Sequence, residues 1–149
     1  MHICGDLEVE KAFYSHYKPI IDSSANITHH GFVDVASESF KTILKGCVFV
    51  VFPSASEGNS PSVLTCMANG GLIPIVTKNA DIDLSGYGIC IEDLNVNAVK
   101  KAAEQSQVLS IEDIKSQSNK IVEETARVNS FEYFKGDFKQ KLQEAIKSI

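Results

Sequence analysis

Between Pro53 and Gly71 the chain reads PSASEGNSPSVLTCMANGG: one carboxylate, Glu57, then small polar residues, then a proline able to open a helix. Pro61 presets the backbone angle of a first helical turn, and Ser60 before it is a candidate cap. Gly58, with the small Asn59 and Ser60, would let a ligand approach the main chain closely. A helix starting here presents the amides of Ser62, Val63 and Leu64. Together with the helix dipole, they favour an anion such as a pyrophosphate. Glu57 cannot serve that anion, but it can accept hydrogen bonds from hydroxyls, as carboxylates do when proteins grip sugars. A sugar joined to a diphosphate satisfies both halves. A small-residue turn carrying a solvated glutamate accounts for the same residues, and the residues alone leave both readings open.

Other chemically capable residues give less. His29 and His30 are adjacent, so on a strand they point to opposite faces and cannot share a metal. Asp6, Asp81 and Asp83 lack the spacing of a magnesium cluster, and Ser54, Ser56 and Ser60 lack the glycine-flanked elbow of a hydrolase serine.

The elements that would position Glu57 follow an alternation of short apolar runs and helical-period segments. That pattern predicts an α/β fold, a Rossmann-like parallel sheet flanked by helices with a helical C-terminal tail. Strands are expected at His2–Cys4, Asn26–Val33, Cys47–Phe52, Leu72–Val76 and Gly88–Ile91. The run CVFVVF, apolar throughout, predicts burial on both faces. Helices are expected over Val9–Lys18, with Val9, Phe13 and Tyr17 on one face and Pro19 as the stop, and over Ser37–Leu44, with Phe40, Ile43 and Leu44 inward. Further helices are expected over Ser62–Ala68, ended by Asn69, Gly70 and Gly71, and over Val96–Val108. In the tail, Ile114, Ile121 and Val128 form one stripe and Phe138, Leu142, Ala145, Ile146 and Ile149 another, both expected as core contacts.

With 149 residues, no repeat and no linker, a single domain over 1–149 with one core is expected. A net charge of -5 with scattered lysines argues against nucleic acid as a partner. No apolar run approaches the ~20 residues of a membrane span, so no transmembrane segment is expected. The four cysteines are far apart with mostly apolar neighbours, which predicts reduced core thiols in the cytoplasm rather than disulfides.

The succession of strand, PSASEG, PSVL, a short helix ending in Asn-Gly-Gly and a further apolar strand resembles the donor-binding domain of family 4 retaining glycosyltransferases. SEGNSPSVLTCMANGGLIPIVTK is similar to the subset found in bacterial polysaccharide and O-antigen clusters. The match extends to ICGD, NITHHGFV and the region from Ser110 onward, and so covers nearly the whole chain. The resemblance implies the C-terminal half of a GT-B fold. It also implies transfer of a sugar from a nucleotide diphosphate sugar to a growing glycan, with retention and without metal or cofactor. By position, Glu57 would be the catalytic-site carboxylate that binds donor-sugar hydroxyls. Gly58, Asn59, Ser60 and Pro61 would line the sugar, Ser62 and Val63 would lend amides to the diphosphate, and Gly31, Phe32 and Val33 would lie near the base.

Thr65 stands where the family places its second glutamate, on the ribose hydroxyls, and can replace only part of that acceptor. The family's first strand with its basic pair, and the N-terminal domain that binds the glycan acceptor, would precede Met1. The domain is therefore expected to be incomplete, and inactive without that part. A nonenzymatic nucleotide-sugar or partner-binding remnant is the alternative reading. An epimerase of GT-B architecture is a further one, disfavoured by the loop around Glu57.

Overall fold

The computed structural model describes residues 1–84, 86–128 and 130–147. The chain is α/β, with two small parallel sheets, flanking helices and a helical C-terminal tail. It divides into two compact units, Met1–Gly46 and Cys47–Ile149. Among the described residues no helix is long and apolar enough to cross a membrane.

In the first unit, β1 (His2–Ile3) pairs in parallel with β2 (Thr28–His29). The ladder closes where the Gly5 amide donates to the Gly31 carbonyl, so β2 is much shorter than the expected Asn26–Val33. Helix α1 (Lys11–Ser23) runs through Pro19 instead of stopping before it. Proline removes one helical hydrogen bond, and because α1 buries no residue, the freed carbonyl can be met by solvent. For the same reason Phe13 and Tyr17 are exposed, and Val9 lies in the 3-10 turn Leu7–Val9 ahead of the helix, also exposed. In α2 (Glu38–Lys45) the Ser37 hydroxyl accepts from the Phe40 amide, and Phe40 and Leu44 are buried as the periodicity predicts.

The second unit carries β3 (Phe49–Phe52), β4 (Ile73–Thr77) and β5 (Ile89–Ile91), all parallel, in the order β3-β4-β5. Here the strongest apolar run is an edge strand: Val51 is 51% exposed, whereas every residue of β4 is buried. Apolarity on both faces therefore did not place Cys47–Phe52 at the centre; Leu72–Thr77 took that position because it is covered from both sides. Helix α3 (Pro61–Gly70) sends Val63 and Met67 onto Ile73 and Val76, joined by Ile121 from α5 (Ile111–Val128). On the other face Ile75 and Ile91 pack with Ala102 of α4 (Val96–Gln107).

Pro74 sits inside β4 at little cost. Ile73 donates to the Val48 carbonyl, so by strand alternation the missing Pro74 donor faces the β5 side, where pairing starts only at Ile75. Gly88 makes room for that proline, since a Cβ there would lie 2.9 Å from the Pro74 carbonyl oxygen.

In the tail, Ile121 is fully buried and Ile114 packs beside it, but Val128 is exposed. The second expected stripe is not core: along α6 (Phe131–Lys147), Phe138, Leu142, Ala145 and Ile146 are all exposed, and Ile149 lies outside the described residues. Against the expectation of core thiols, none of the four cysteines is deeply buried, and Cys4 is exposed.

Gly71 ends α3 with a φ of 61°, and a Cβ there would sit 2.4 Å from the Ser118 hydroxyl oxygen of α5. Gly71→Ala is expected to destabilise the chain by about 2–3 kcal/mol, combining left-handed strain with overpacking. Urea unfolding followed by circular dichroism checks this as a lowered midpoint at unchanged m-value.

Candidate functional site

The segment from Pro53 to Ser60 leaves the C-terminal end of β3 and turns directly into α3. In open parallel sheets the crevice outside the strand ends is where ligands bind. What holds this loop is the chain that follows β4. The Thr77 hydroxyl donates to the Ser54 carbonyl at 2.5 Å, and the Asn79 amide group donates to the Ala55 carbonyl at 2.6 Å. In return, the Glu57 and Ser60 amides donate to the Asn79 and Ala80 carbonyls at 2.9 and 3.3 Å. Four hydrogen bonds thus tie the loop to Thr77 and the 3-10 turn Lys78–Ala80. Sequence reasoning did not assign this role to Thr77 or Asn79, although polar residues directly after an apolar strand are the signal for it.

Glu57, Gly58 and Asn59 are exposed at the top of the loop. Asn59, not Gly58, takes the left-handed backbone, with a φ of 63°. Asparagine tolerates that region better than most residues. Gly58 stands in open space, where even a Cβ would touch nothing. Ser60 occupies the N-cap position and is buried, but its hydroxyl makes no capping bond. The expectation that it caps the helix is therefore corrected: with φ of -50° and ψ of 108° its backbone lies outside the extended region from which Ser37 and Asn95 cap their helices.

Pro61 is the first helical residue and has no amide hydrogen. Leu64 donates to the Ser60 carbonyl at 3.2 Å, so its amide is engaged and not free as the sequence suggested. Among the described residues no group accepts from the Ser62 or Val63 amide. Ser62 is exposed and the Val63 side chain is fully buried in the core, which anchors the helix start from below. Thr65, one turn on and half-buried, donates its hydroxyl to the Pro61 carbonyl at 2.7 Å. Its oxygen is then left only as an acceptor.

The loop and the start of α3 thus bring together Glu57, Gly58, Asn59, Ser60, Pro61, Ser62, Val63 and Thr65. Gly31, Phe32 and Val33 belong to the first unit, where Phe32 is 83% exposed and Val33 half-buried. Beside the loop, Asn59 lines a cavity of about 520 Å³ with Val128, Ser130, Phe131, Tyr133, Phe134 and Asp137. That aromatic wall, from the α5–α6 junction, was not legible from spacing because it lies some seventy residues away in sequence.

The other candidates have local partners. His29 meets the Gly5 carbonyl at 2.9 Å, His30 meets His2 at 2.8 Å, and Asp6 accepts from the Glu8 amide. Burial, and then Glu92, push the Cys90 thiol above its ordinary pKa, which keeps it protonated and unreactive at neutral pH.

No family model matches the sequence, and no curated protein matches it.

Thr77→Val keeps the shape of a buried side chain and removes its bond to Ser54. The expected outcome is a loss of about 1 kcal/mol and faster amide hydrogen exchange at Glu57 and Ser60, the two loop donors on the neighbouring turn. Exchange mass spectrometry resolved to this segment measures it.

Proposed function

We propose that this chain binds a nucleotide diphosphate sugar and serves as the donor-binding part of a retaining glycosyltransferase of family 4. One observation carries the reading: the uncapped start of α3 leaves the Ser62 and Val63 amides without an acceptor, in a loop whose only acid is Glu57. A hydroxyl cap would have used one of these donors. Without it, both are available to a diphosphate, and the helix dipole adds to their attraction for negative charge.

Glu57, exposed, accepts from hydroxyls of the donor sugar, with Gly58 and Asn59 open beside it. Thr65, whose proton is committed to Pro61, accepts from a ribose hydroxyl through its remaining lone pairs. As the bond from sugar to phosphate breaks, charge builds on the departing diphosphate, and the preorganised amides stabilise that charge more than the ground state. The sugar passes to a hydroxyl of the glycan acceptor on the face the diphosphate leaves, so configuration is retained, and the hydroxyl's proton goes to the departing diphosphate oxygen, which balances the step.

A second reading, binding without turnover, is favoured by one feature. From Cys47 to Thr77 there is no lysine or arginine, so this stretch offers the leaving diphosphate amides but no cation. Release of two phosphate charges ordinarily draws on cationic groups as well.

Ligand-observed NMR with UDP-, GDP- and ADP-sugars tests the proposal. At least one is expected to bind. Glu57→Gln is expected to weaken the sugar nucleotide by on the order of tenfold, the worth of a charged hydrogen bond, while leaving the bare nucleotide diphosphate little changed. Ser62→Pro, which removes one amide in a helical turn that tolerates proline, is expected to weaken both. Absence of binding to every sugar nucleotide would refute the reading. Binding with no sugar transfer by the chain alone is the outcome expected of a donor-binding part, and robust transfer by the chain alone would overturn that restriction.

A further inference from the structure

Helix α6 buries none of its residues. Phe131, Phe134, Phe138, Leu142 and Ile146 recur at spacings of three and four, remain 49% to 72% exposed, and include a stacked pair, Phe134 and Phe138, with ring centres 5.9 Å apart. At roughly 100° per residue they form one stripe about 22 Å long. The charges around it are sorted. Lys135 and Lys139 on one side and Lys141 on the other lie within roughly 90° of its centre, and Glu132, Asp137 and Glu144 all lie farther round the helix. Lys141 also meets Asp137 at 2.9 Å, with 72% of its own side chain still exposed.

We propose that α6 lies in the plane of an anionic lipid surface, its aromatic stripe in the acyl boundary and its three marginal lysines at the headgroups. The lysine stems can run along the apolar stripe while their ammonium groups reach outward to phosphate. The sorting of charge selects this occupant over a second copy of the chain. In either orientation, parallel or antiparallel, two such helices would set lysine margin against lysine margin. The chain as a whole carries a net charge of -5, but α6 has four lysines against three acids. Charges more than a screening length of ~8–10 Å away contribute little at physiological salt, so the local pattern governs. A stripe on one convex helix also suits a fluid surface, which needs no matching groove. The proposal does not depend on the ligand of the Glu57 loop.

The test uses the full chain with vesicles of phosphatidylcholine alone and of phosphatidylcholine mixed with phosphatidylglycerol. The chain has no tryptophan, so Phe138→Trp supplies a single reporter. Its emission is expected to shift to the blue with the mixed vesicles and far less with the neutral ones, and added salt should reduce the effect. The double variant Phe134→Asp with Phe138→Asp, and separately the triple variant Lys135→Glu, Lys139→Glu and Lys141→Glu, should each lower cosedimentation on the order of tenfold. Unchanged circular dichroism would confirm that these exposed substitutions leave the fold intact. Absence of binding to mixed vesicles, equal binding to neutral ones, or indifference to the lysine reversal would overturn the proposal. So would a dimer in sedimentation equilibrium that the Phe134→Asp, Phe138→Asp variant dissolves, which would assign the stripe to a second copy.

Discussion

Each residue of β4 from Ile73 to Thr77 is buried because the strand is paired on both edges and covered on both faces, by α3 and α5 on one side and by α4 on the other. Burying an isoleucine or valine side chain completely contributes on the order of 1.5–3 kcal/mol, so this strand concentrates much of the second unit's stability in five residues. The same burial fixes the end of the strand. Thr77 is held in place by the packing before it, and its hydroxyl can therefore act as a rigid anchor for Ser54. From there the constraint passes through Asn79 to Glu57 and through Ala80 to Ser60, so the exposed loop is positioned by the core rather than by its own contacts. On the opposite side of the loop, Val63 does the same for the first turn of α3.

Much of this arrangement can be read from sequence where local chemistry leaves few options. Pro61 and Gly71 bracket α3 because one residue presets a helical start and the other accepts a left-handed end, and the helix begins one residue before and ends two residues after the expected Ser62–Ala68. The amphipathic α2, capped by Ser37, is equally direct. What is not legible is whatever depends on a neighbour distant in sequence. A continuous apolar run says that Cys47–Phe52 is a strand, but sheet order decides that it is an edge while β4 is central. Periodicity gives α6 an apolar face without saying what covers it, and that face is outside the core. Pro19 misleads for a related reason: its cost depends on whether the freed carbonyl can reach solvent, and in an unburied α1 it can.

At the site itself the residue types were legible and their hydrogen bonds were not. Ser60 is the kind of residue that caps helices, and it stands in the capping position, yet its hydroxyl leaves the helix amides alone. The difference matters because a cap and a ligand compete for the same donors. Thr65 offers the converse lesson. Its hydroxyl proton is taken by Pro61, so what a ligand can find there is an acceptor, which is the half of a carboxylate's chemistry that a threonine can still supply.

The start of α6 joins these two parts of the second unit. Phe131 and Phe134 form part of the wall that faces Asn59 across the cavity, and they are also the first two members of the exposed aromatic stripe. A side chain cannot give the same surface twice, so any occupant of the cavity and any surface that takes up the stripe must share or compete for these rings. If the two occupants touch opposite sides of the rings, each holds the rings in place for the other and binding at one site favours the other; if they touch the same side, each excludes the other. Phe131 and Phe134 are thus the residues shared between the cavity beside Asn59 and the exposed stripe of α6.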